Sequence, residues 1–470
     1  MNYEPSPSDT DVITVTNPAD GTIVGNIIAG SAYDVDNVVS RASDAFSTWS
    51  VTEPLDRGKL LFSAANRVRK DREGLARLLT CEQGKPLHES LNEISGFARI
   101  LEYYASISGT IRGDYAKSKA YGHMLVSRRP IGVCAAIIPW NVPALIMGWK
   151  IGPVLAAGNT MVLKPSQTAP LTCIALAEHL YAAGFSKEVF QIVTGSGEIV
   201  GEALARHRDI RSLSFTGSIE TGKNVALLAA KSLKRLTLEL GGSDAMIVCD
   251  DADLDLAAKG AVSGRFFNCG QTCTAIKRIF VEESIYDSFL ARITNLVNRM
   301  KIGNGLEKGV DMGPMHTVGQ RNKLSLLLEK TIEKDEGSLL IGGMIPNEPD
   351  LQRGNFFYPT VLTDVSSDAP VMKEELFGPV LPVASYNKLE DAISMANDTK
   401  FGLGASIWTD DMKRITKAID ELQAGILWVN QHLRIPPEVP FGGVKSSGLG
   451  RENGRYAIEH YLEEKSILIR

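Results

Sequence analysis

The sequence predicts an α/β protein with two largely parallel sheets and helices on both faces, and three observations carry that expectation. From Ile131 onward, short apolar runs suited to strands alternate with segments of helical apolar period. A second cycle of the same kind opens at Ala245. The chain, at 470 residues, is long for one core, so two or three domains are expected.

Before the first cycle, residues 12–30 hold two short apolar runs around Asn17-Pro18-Ala19-Asp20-Gly21, the chemistry of a turn, and predict a hairpin on a sheet edge. Helical spacing follows over 34–50, 57–83 and 91–107, three helices in all. Residues 113–130 are polar and weakly strand-like, strongest over 124–129. A ribbon with an unpaired edge of this kind either stays a surface hairpin or pairs across a subunit interface. The first cycle places strands at 133–138, 160–164, 189–193, 210–215 and 235–240. The second places them at 245–248 and 278–281 with a helix over 285–300. Beyond a glycine-rich loop at 303–319, strands are expected at 339–343, 356–362 and 425–430, and helices at 389–397 and 412–423. Residues 465–470 form a terminal strand that could pair with the ribbon.

Composition narrows the function classes. With 44% hydrophobic and 22% charged residues and a net charge of -5, the chain shows a globular balance and no electrostatic footprint for nucleic acid. Small molecules are the expected partners. Residues 1–11 lack the order of a signal peptide and no apolar run reaches membrane-spanning length, so a cytoplasmic protein that does not engage a membrane is expected. The six cysteines suggest no disulfide framework. Cys269 and Cys273 have a spacing that could hold a metal, but no second cysteine pair exists and the seven histidines are scattered, so no metal is expected.

In open parallel sheets, ligands collect at the carboxyl ends of strands. Those ends carry Pro139-Trp140-Asn141, Lys164, Gly195 and Gly197, Thr216-Gly217-Ser218 and Glu239. Cys273 lies in a polar, glycine-flexed segment with Gly270, Gln271 and Thr272, where a thiolate could serve as nucleophile; a buried structural cysteine is the plain alternative. Glu239 can act as a general base where a pocket raises its pKa, or be a solvated carboxylate. Asn141 and the Cys273 backbone N–H can donate to an oxyanion. The run from Phe215 to Gly222 passes from strand to helix, so its N–H groups and the Ser218 hydroxyl could face a pyrophosphate, although it is not the G-x-G-x-x-G fingerprint.

Seven motifs occur together in one order: Pro139-Trp-Asn-Val-Pro143, Gly158-Asn-Thr-Met-Val-Leu-Lys-Pro165, Phe215-Thr-Gly-Ser218, Glu239-Leu-Gly-Gly242, Gly270-Gln-Thr-Cys273, Glu375-Leu-Phe-Gly-Pro379 and Pro440-Phe-Gly-Gly-Val-Lys-Ser-Ser-Gly448. The set resembles the NAD(P)-dependent aldehyde dehydrogenases over nearly the whole chain. The resemblance implies a Rossmann-type cofactor domain over 1–112 and 131–241, a catalytic domain over 242–445, and an oligomerisation arm over 113–130 with the segment 446–470. It implies a homodimer or homotetramer.

It further implies that Cys273 attacks an aldehyde, Asn141 helps hold the oxyanion, and Glu239 activates the water that hydrolyses the thioester to a carboxylic acid. NAD would lie along Ile138, Pro139, Trp140, Leu240 and Gly241, with Lys164, Ser166 and Gln167 at the adenosine ribose. Gly197, Gly201, Thr216, Gly217, Ser218 and Thr221 would serve the adenine and pyrophosphate, and Glu375 and Phe377 the nicotinamide ribose. Ile146, Trp149, Phe267, Thr272, Thr274, Arg434 and Ile435 would line the substrate tunnel. Arg434 there either pairs with an anionic group of the substrate or is a solvated or intersubunit arginine. One departure stands out. NAD-preferring members commonly carry Glu where this chain has Gln167, and a neutral amide does not repel a 2′-phosphate, so NAD use with NADP also accommodated is expected. Acyl transfer to coenzyme A is the alternative within the family, against which Glu239 speaks; a non-catalytic binding protein on the same fold is the alternative outside it.

Overall fold

The computed structural model describes residues 12–470, so the expectation for residues 1–11 lies outside the described residues. Its first sheet has six strands in the order Gly448–Leu449, Arg235–Glu239, Ile210–Thr216, Val133–Ile137, Thr160–Lys164, Phe190–Ile192. All pair in parallel except the short Gly448–Leu449, which runs antiparallel with Gly448 opposite Glu239. The central strand is buried throughout, and its side chains alternate between two cores. Cys134 and Ala136 join the core beneath helices Leu87–Ile107 and Pro143–Ala157, while Val133, Ala135 and Ile137 join the core beneath Ala32–Trp49.

The second sheet has seven strands in the order Ser338–Ile341, Thr360–Thr363, Val380–Tyr386, Ile276–Glu282, Asp244–Val248, Gly404–Trp408, Ile426–Val429. Only the first of these is antiparallel to its neighbour. Glu239 ends a strand of the first sheet and Asp244 begins one of the second, so four residues connect the two. The carboxyl edge of one sheet therefore faces the amino edge of the other.

Gly122–Pro130 is the middle strand of a three-stranded antiparallel ribbon with Asp114–Ser118 and Leu462–Ile469, the last pairing from Leu462 opposite Pro130 to Ile469 opposite His123. Among the described residues, no helix is long and apolar enough to cross a membrane.

Several expectations need correction. The hairpin Val12–Thr16 with Ile23–Ile28 is a two-stranded sheet of its own, not the edge of a larger one. The helix expected over 57–83 is two, Pro54–Lys70 and Arg72–Gln83, so four helices precede the ribbon. The break at Asp71 has no glycine or proline to announce it; the carboxylate there meets His179 Nε2 at 3.1 Å, a tertiary contact. Helix Val318–Glu333 and strands Val380–Tyr386 and Gly404–Trp408 were not anticipated. Pro382 and Gly404 disguise the two strands.

Candidate active site

Cys273 follows a tightly wound segment. Asn268, Cys269 and Gly270 take successive left-handed conformations, with φ of 51°, 55° and 71°. Two non-glycine residues in that region are costly and persist only where the surroundings hold them. Buried groups do so here: Glu89 accepts from the Asn268 N–H at 2.9 Å, and the Gln271 side chain donates to the Asn268 carbonyl at 3.0 Å and accepts from the His316 N–H at 2.8 Å. Buried Arg265 donates to the carbonyls of Leu376 and Gly378.

Asn141 is placed by the start of helix Pro143–Ala157. Its carbonyl accepts from Lys85 Nζ at 2.7 Å and from Asn268 Nδ2 at 2.8 Å, and its own Nδ2 donates to the Gln271 carbonyl at 3.0 Å. Lys85 is paired with Glu93, whose other oxygen accepts from the Ala144 N–H at 2.8 Å at the helix start. One hydrogen of the Asn141 amide remains for a ligand oxygen.

Glu239 is buried, and among the described residues neither carboxylate oxygen has a hydrogen-bond partner. Burial, then the nearby Glu452 carboxylate, pushes it well above the usual carboxylate range, against Lys150 and Arg451. Gly442 makes room for it: at φ 156° it bears no side chain where a Cβ would meet Glu239 Oε1 at 2.7 Å. Buried Lys150 pairs with Glu452 and donates to Ser214 Oγ at 2.8 Å and Thr216 Oγ1 at 2.7 Å.

The thiol is the second group in the site whose ionisation its surroundings shift. Its surroundings do not favour the thiolate: burial pushes Cys273 up to about 12, Lys277 opposes that, and the carboxylates of Asp244, Glu239 and Glu375 add to it. Sequence could not show this, because it depends on how deeply the loop is packed.

A cavity of about 1320 Å³ reaches the thiol. Cys273, Glu239 and Thr216 line it, together with Ile146, Trp149, Phe267, Thr272, Thr274, Arg434 and Ile435, and with residues that sequence reasoning missed, among them Arg99, Tyr103, Glu438 and Phe441. Trp149 and Phe441 pack with ring centroids 4.9 Å apart. Arg434 and Arg99 are exposed and form no ion pair among the described residues, whereas Glu102 is tied to Arg69 at 2.7 Å.

On the other side, at the carboxyl ends of the first sheet, Lys164 is buried and held down to about 8 by desolvation, its Nζ donating to the Pro165 carbonyl at 3.0 Å. Ser166 Oγ meets Thr168 at 3.0 Å, and Gln167 is exposed with no side-chain hydrogen bond among the described residues. Gly197 opens a single helical turn that ends at Gly201, and nothing lies within 4 Å of where its Cβ would be. The Ser218 hydroxyl is engaged locally: it caps helix Ile219–Ala230, accepting from the Thr221 N–H, and meets Thr221 Oγ1 at 2.9 Å, which leaves backbone N–H groups as the free donors there. Ile138 and Leu240 are buried, Gly217 sits against Phe215, and Trp140 stacks on His316 at 4.4 Å with its edge toward Phe377. Pro139 lies between the end of strand Val133–Ile137 and Trp140. Gly241 lets the Glu375 carboxylate approach closely, since a Cβ there would meet Glu375 Oε2 at 2.2 Å and displace it. Among the described residues, no group of three His, Cys, Asp or Glu could hold a metal ion. The open surface at Gly197, the buried Lys164 and the free N–H groups fit a dinucleotide laid across the strand ends.

Residues 5–467 match the aldehyde dehydrogenase family. This chain belongs to that family. It is 40% identical to the succinate-semialdehyde dehydrogenase [NADP(+)] GabD of Escherichia coli (strain K12), over 98% of this chain and 94% of that protein. It is 38% identical to the betaine aldehyde dehydrogenase of Bacillus subtilis (strain 168), over 97% and 93%. Among solved structures, an E. coli NADP dependent enzyme superposes with a TM-score of 0.95 at 40% identity, covering 98% of this chain and 95% of that one. Betaine aldehyde dehydrogenase from Staphylococcus aureus in complex with NAD+ does so with a TM-score of 0.95 at 34% identity, covering 97% and 92%. The dehydrogenase is thus an oxidoreductase that oxidises aldehydes with NAD(P).

Proposed function

We propose that Cys273 is the nucleophile, Asn141 the oxyanion donor and Glu239 the base of this dehydrogenase. The observation that carries the reading is the single cavity wall shared by a thiol and a buried carboxylate whose oxygens are unspent on protein. Once the thiol proton has passed to solvent water, Cys273 Sγ attacks the carbonyl carbon, and the C=O electron pair it displaces becomes an oxyanion that takes hydrogen bonds from Asn141 Nδ2 and the Cys273 backbone N–H. NAD(P)+ held across the strand ends accepts the hydride that leaves this carbon. As the carbonyl re-forms, the thioester results. Glu239 then takes a proton from water, the hydroxyl adds to the thioester carbon, and Sγ departs with the electron pair, leaving the carboxylic acid. Coenzyme A needs no such base, so water is the favoured acceptor.

The cofactor is assigned to Lys164, Ser166 and Gln167 at the adenosine ribose, to Gly197, Gly201, Thr216, Gly217, Ser218 and Thr221 at adenine and pyrophosphate, and to Glu375 and Phe377 at the nicotinamide ribose, beside Ile138, Pro139, Trp140, Leu240 and Gly241. Of the described residues, 12–112 and 131–241 are assigned to the cofactor domain, 242–445 to the catalytic domain, and 113–130 with 446–470 to the arm. Gln167→Glu is expected to raise the NAD over NADP preference in kcat/KM by about tenfold, since a carboxylate repels the 2′-phosphate. An unchanged ratio would remove Gln167 from cofactor choice.

The substrate reading goes one step further. The two relatives act, by their names, on aldehydes of opposite charge at the far end, so likeness to them does not decide. What supports an anion is that Arg434 and Arg99 line the cavity exposed and without ion pairs among the described residues, while of the lining carboxylates Glu93 and Glu102 are paired, Glu239 is buried beside the thiol and Glu438 alone is exposed and unpaired. An aldehyde with a distal carboxylate, of which succinic semialdehyde is one, suits that lining. Arg434→Ala is expected to raise KM for succinic semialdehyde about tenfold while leaving butanal within twofold; equal changes for both would defeat the assignment.

The six cysteines are all free, which supports a reducing compartment and hence the cytoplasm. The ribbon supports a dimer or a pair of dimers. Its outer strand Leu462–Ile469 exposes Leu468 and Ile469 along an unpaired edge. A monomer in light scattering at micromolar concentration would contradict it.

A further inference from the structure

Lys277 has no place in the mechanism above, yet its side chain is fully buried at the meeting of the two sheets. Its ammonium has three hydrogens and three acceptors. They are the Gly242 carbonyl at 2.7 Å, the Cys273 carbonyl at 2.8 Å and Glu375 Oε1 at 3.1 Å. Each belongs to a different segment: the turn after Glu239, the nucleophile loop, and the loop assigned to the nicotinamide ribose. The Gly242 N–H also donates to Glu375 Oε1, at 3.1 Å, and the Phe377 ring lies 5.7 Å from Nζ. One cation thus ties Glu375 to the backbone of the nucleophile loop and of the turn that follows Glu239.

We propose that Lys277 is a positioning residue that fixes the Cys273 peptide and sets the reactivity of its thiol, with Glu375 tempering the ammonium's field. The proposal rests on the reading of Cys273 as nucleophile. The charges facing the thiol are Lys277 from strand Ile276–Glu282, Asp244 from the neighbouring strand, Glu239 from the first sheet, and Glu375. Among these Lys277 is the only cation, and it alone works against the burial that keeps the thiol protonated. Asp244, itself raised to about 7 by burial, lies 3.9 Å from His432, which desolvation holds down at about 4, so that imidazole supplies no charge at neutral pH. Arg278, beyond it, spends its guanidinium on the carbonyls of Ser243, Met395 and Ala396.

The test is the pH dependence of Cys273 alkylation by iodoacetamide in the full-length enzyme without cofactor, with the labelled residue identified by mass spectrometry. Lys277→Met is expected to slow labelling about tenfold at fixed pH, the counterpart of displacing the titration upward by about one pH unit. Glu375→Gln is expected to act with the opposite sign, speeding labelling several-fold, because the ammonium then loses its counter-charge. That inversion separates an electrostatic role from loop damage, which would alter both variants alike. Unchanged curves in both variants, or slowing in both, would overturn the proposal. Should Lys277→Met not fold, Lys277→Gln, which removes the charge but keeps a donor for the two carbonyls, is labelled in its place with the same slowing expected. If labelling follows the expected signs but Cys273→Ala still turns over, the nucleophile reading fails and the electrostatic one stands.

Discussion

Replacing Cys273 by alanine is expected to lower aldehyde oxidation by at least about 10⁴-fold while leaving NAD binding within twofold of wild type. The loss follows from the order of events: without Sγ no thiohemiacetal forms, and no hydride is released from a hydrated or free aldehyde held at the same place. The control is Cys269→Ala, four residues earlier on the same loop. That thiol is buried and raised further, faces Glu89 and Arg265, and does not line the cavity; the variant should keep activity within a few-fold. Initial rates of NADH and NADPH formation across aliphatic, aromatic and carboxylated aldehydes make the comparison. Retained turnover in Cys273→Ala would move the chemistry to another group. The pH dependence has a definite sign. Because burial raises both Cys273 and Glu239 above their ordinary values, the thiolate and the carboxylate gain population as pH rises, so wild-type kcat/KM should climb into the alkaline range.

Much of this site is local in the chain, and that part was legible. Strand ends are marked by short motifs, and Cys273, Glu239 and the seven tunnel residues stand within a few positions of glycines, prolines or aromatic residues that punctuate their elements. The structure brings these residues to one cavity. What escaped is held together by partners far apart in sequence. Lys150 meets Glu452, and Lys277 meets Glu375, across separations no periodicity encodes. A hint of Lys277 was present: Lys277-Arg278 sits between Ile276 and the apolar run Ile279–Val281 of one strand, and a charge pair in a core strand calls for buried partners. The same distance in sequence hid the break at Asp71 and the protonated state of the thiol. Arg99 was overlooked for a different reason, since it is one of many polar residues on an amphipathic helix and only the cavity singles it out.

Glu239→Gln is expected to leave the first half-reaction standing and stall the second. The amide keeps the shape of the side chain beside Gly442 but cannot take a proton from water, and general-base catalysis of this kind contributes about 10²–10⁴-fold. Mixed rapidly with NAD and aldehyde, the variant should release a burst of about one NADH per active site, followed by a steady rate lower by that factor. Acid quenching after the burst should trap an acyl group on Cys273. The amplitude carries the argument, because it separates two duties that a buried carboxylate near a thiol could hold. If Glu239 served to deprotonate Sγ, the burst itself would vanish along with turnover. A full burst with slow decay instead assigns Glu239 to the water and leaves the ionisation of the thiol to its other neighbours, Lys277 foremost. Added coenzyme A offers the complementary check: restoration of turnover by the external thiol would show that hydrolysis alone had been lost.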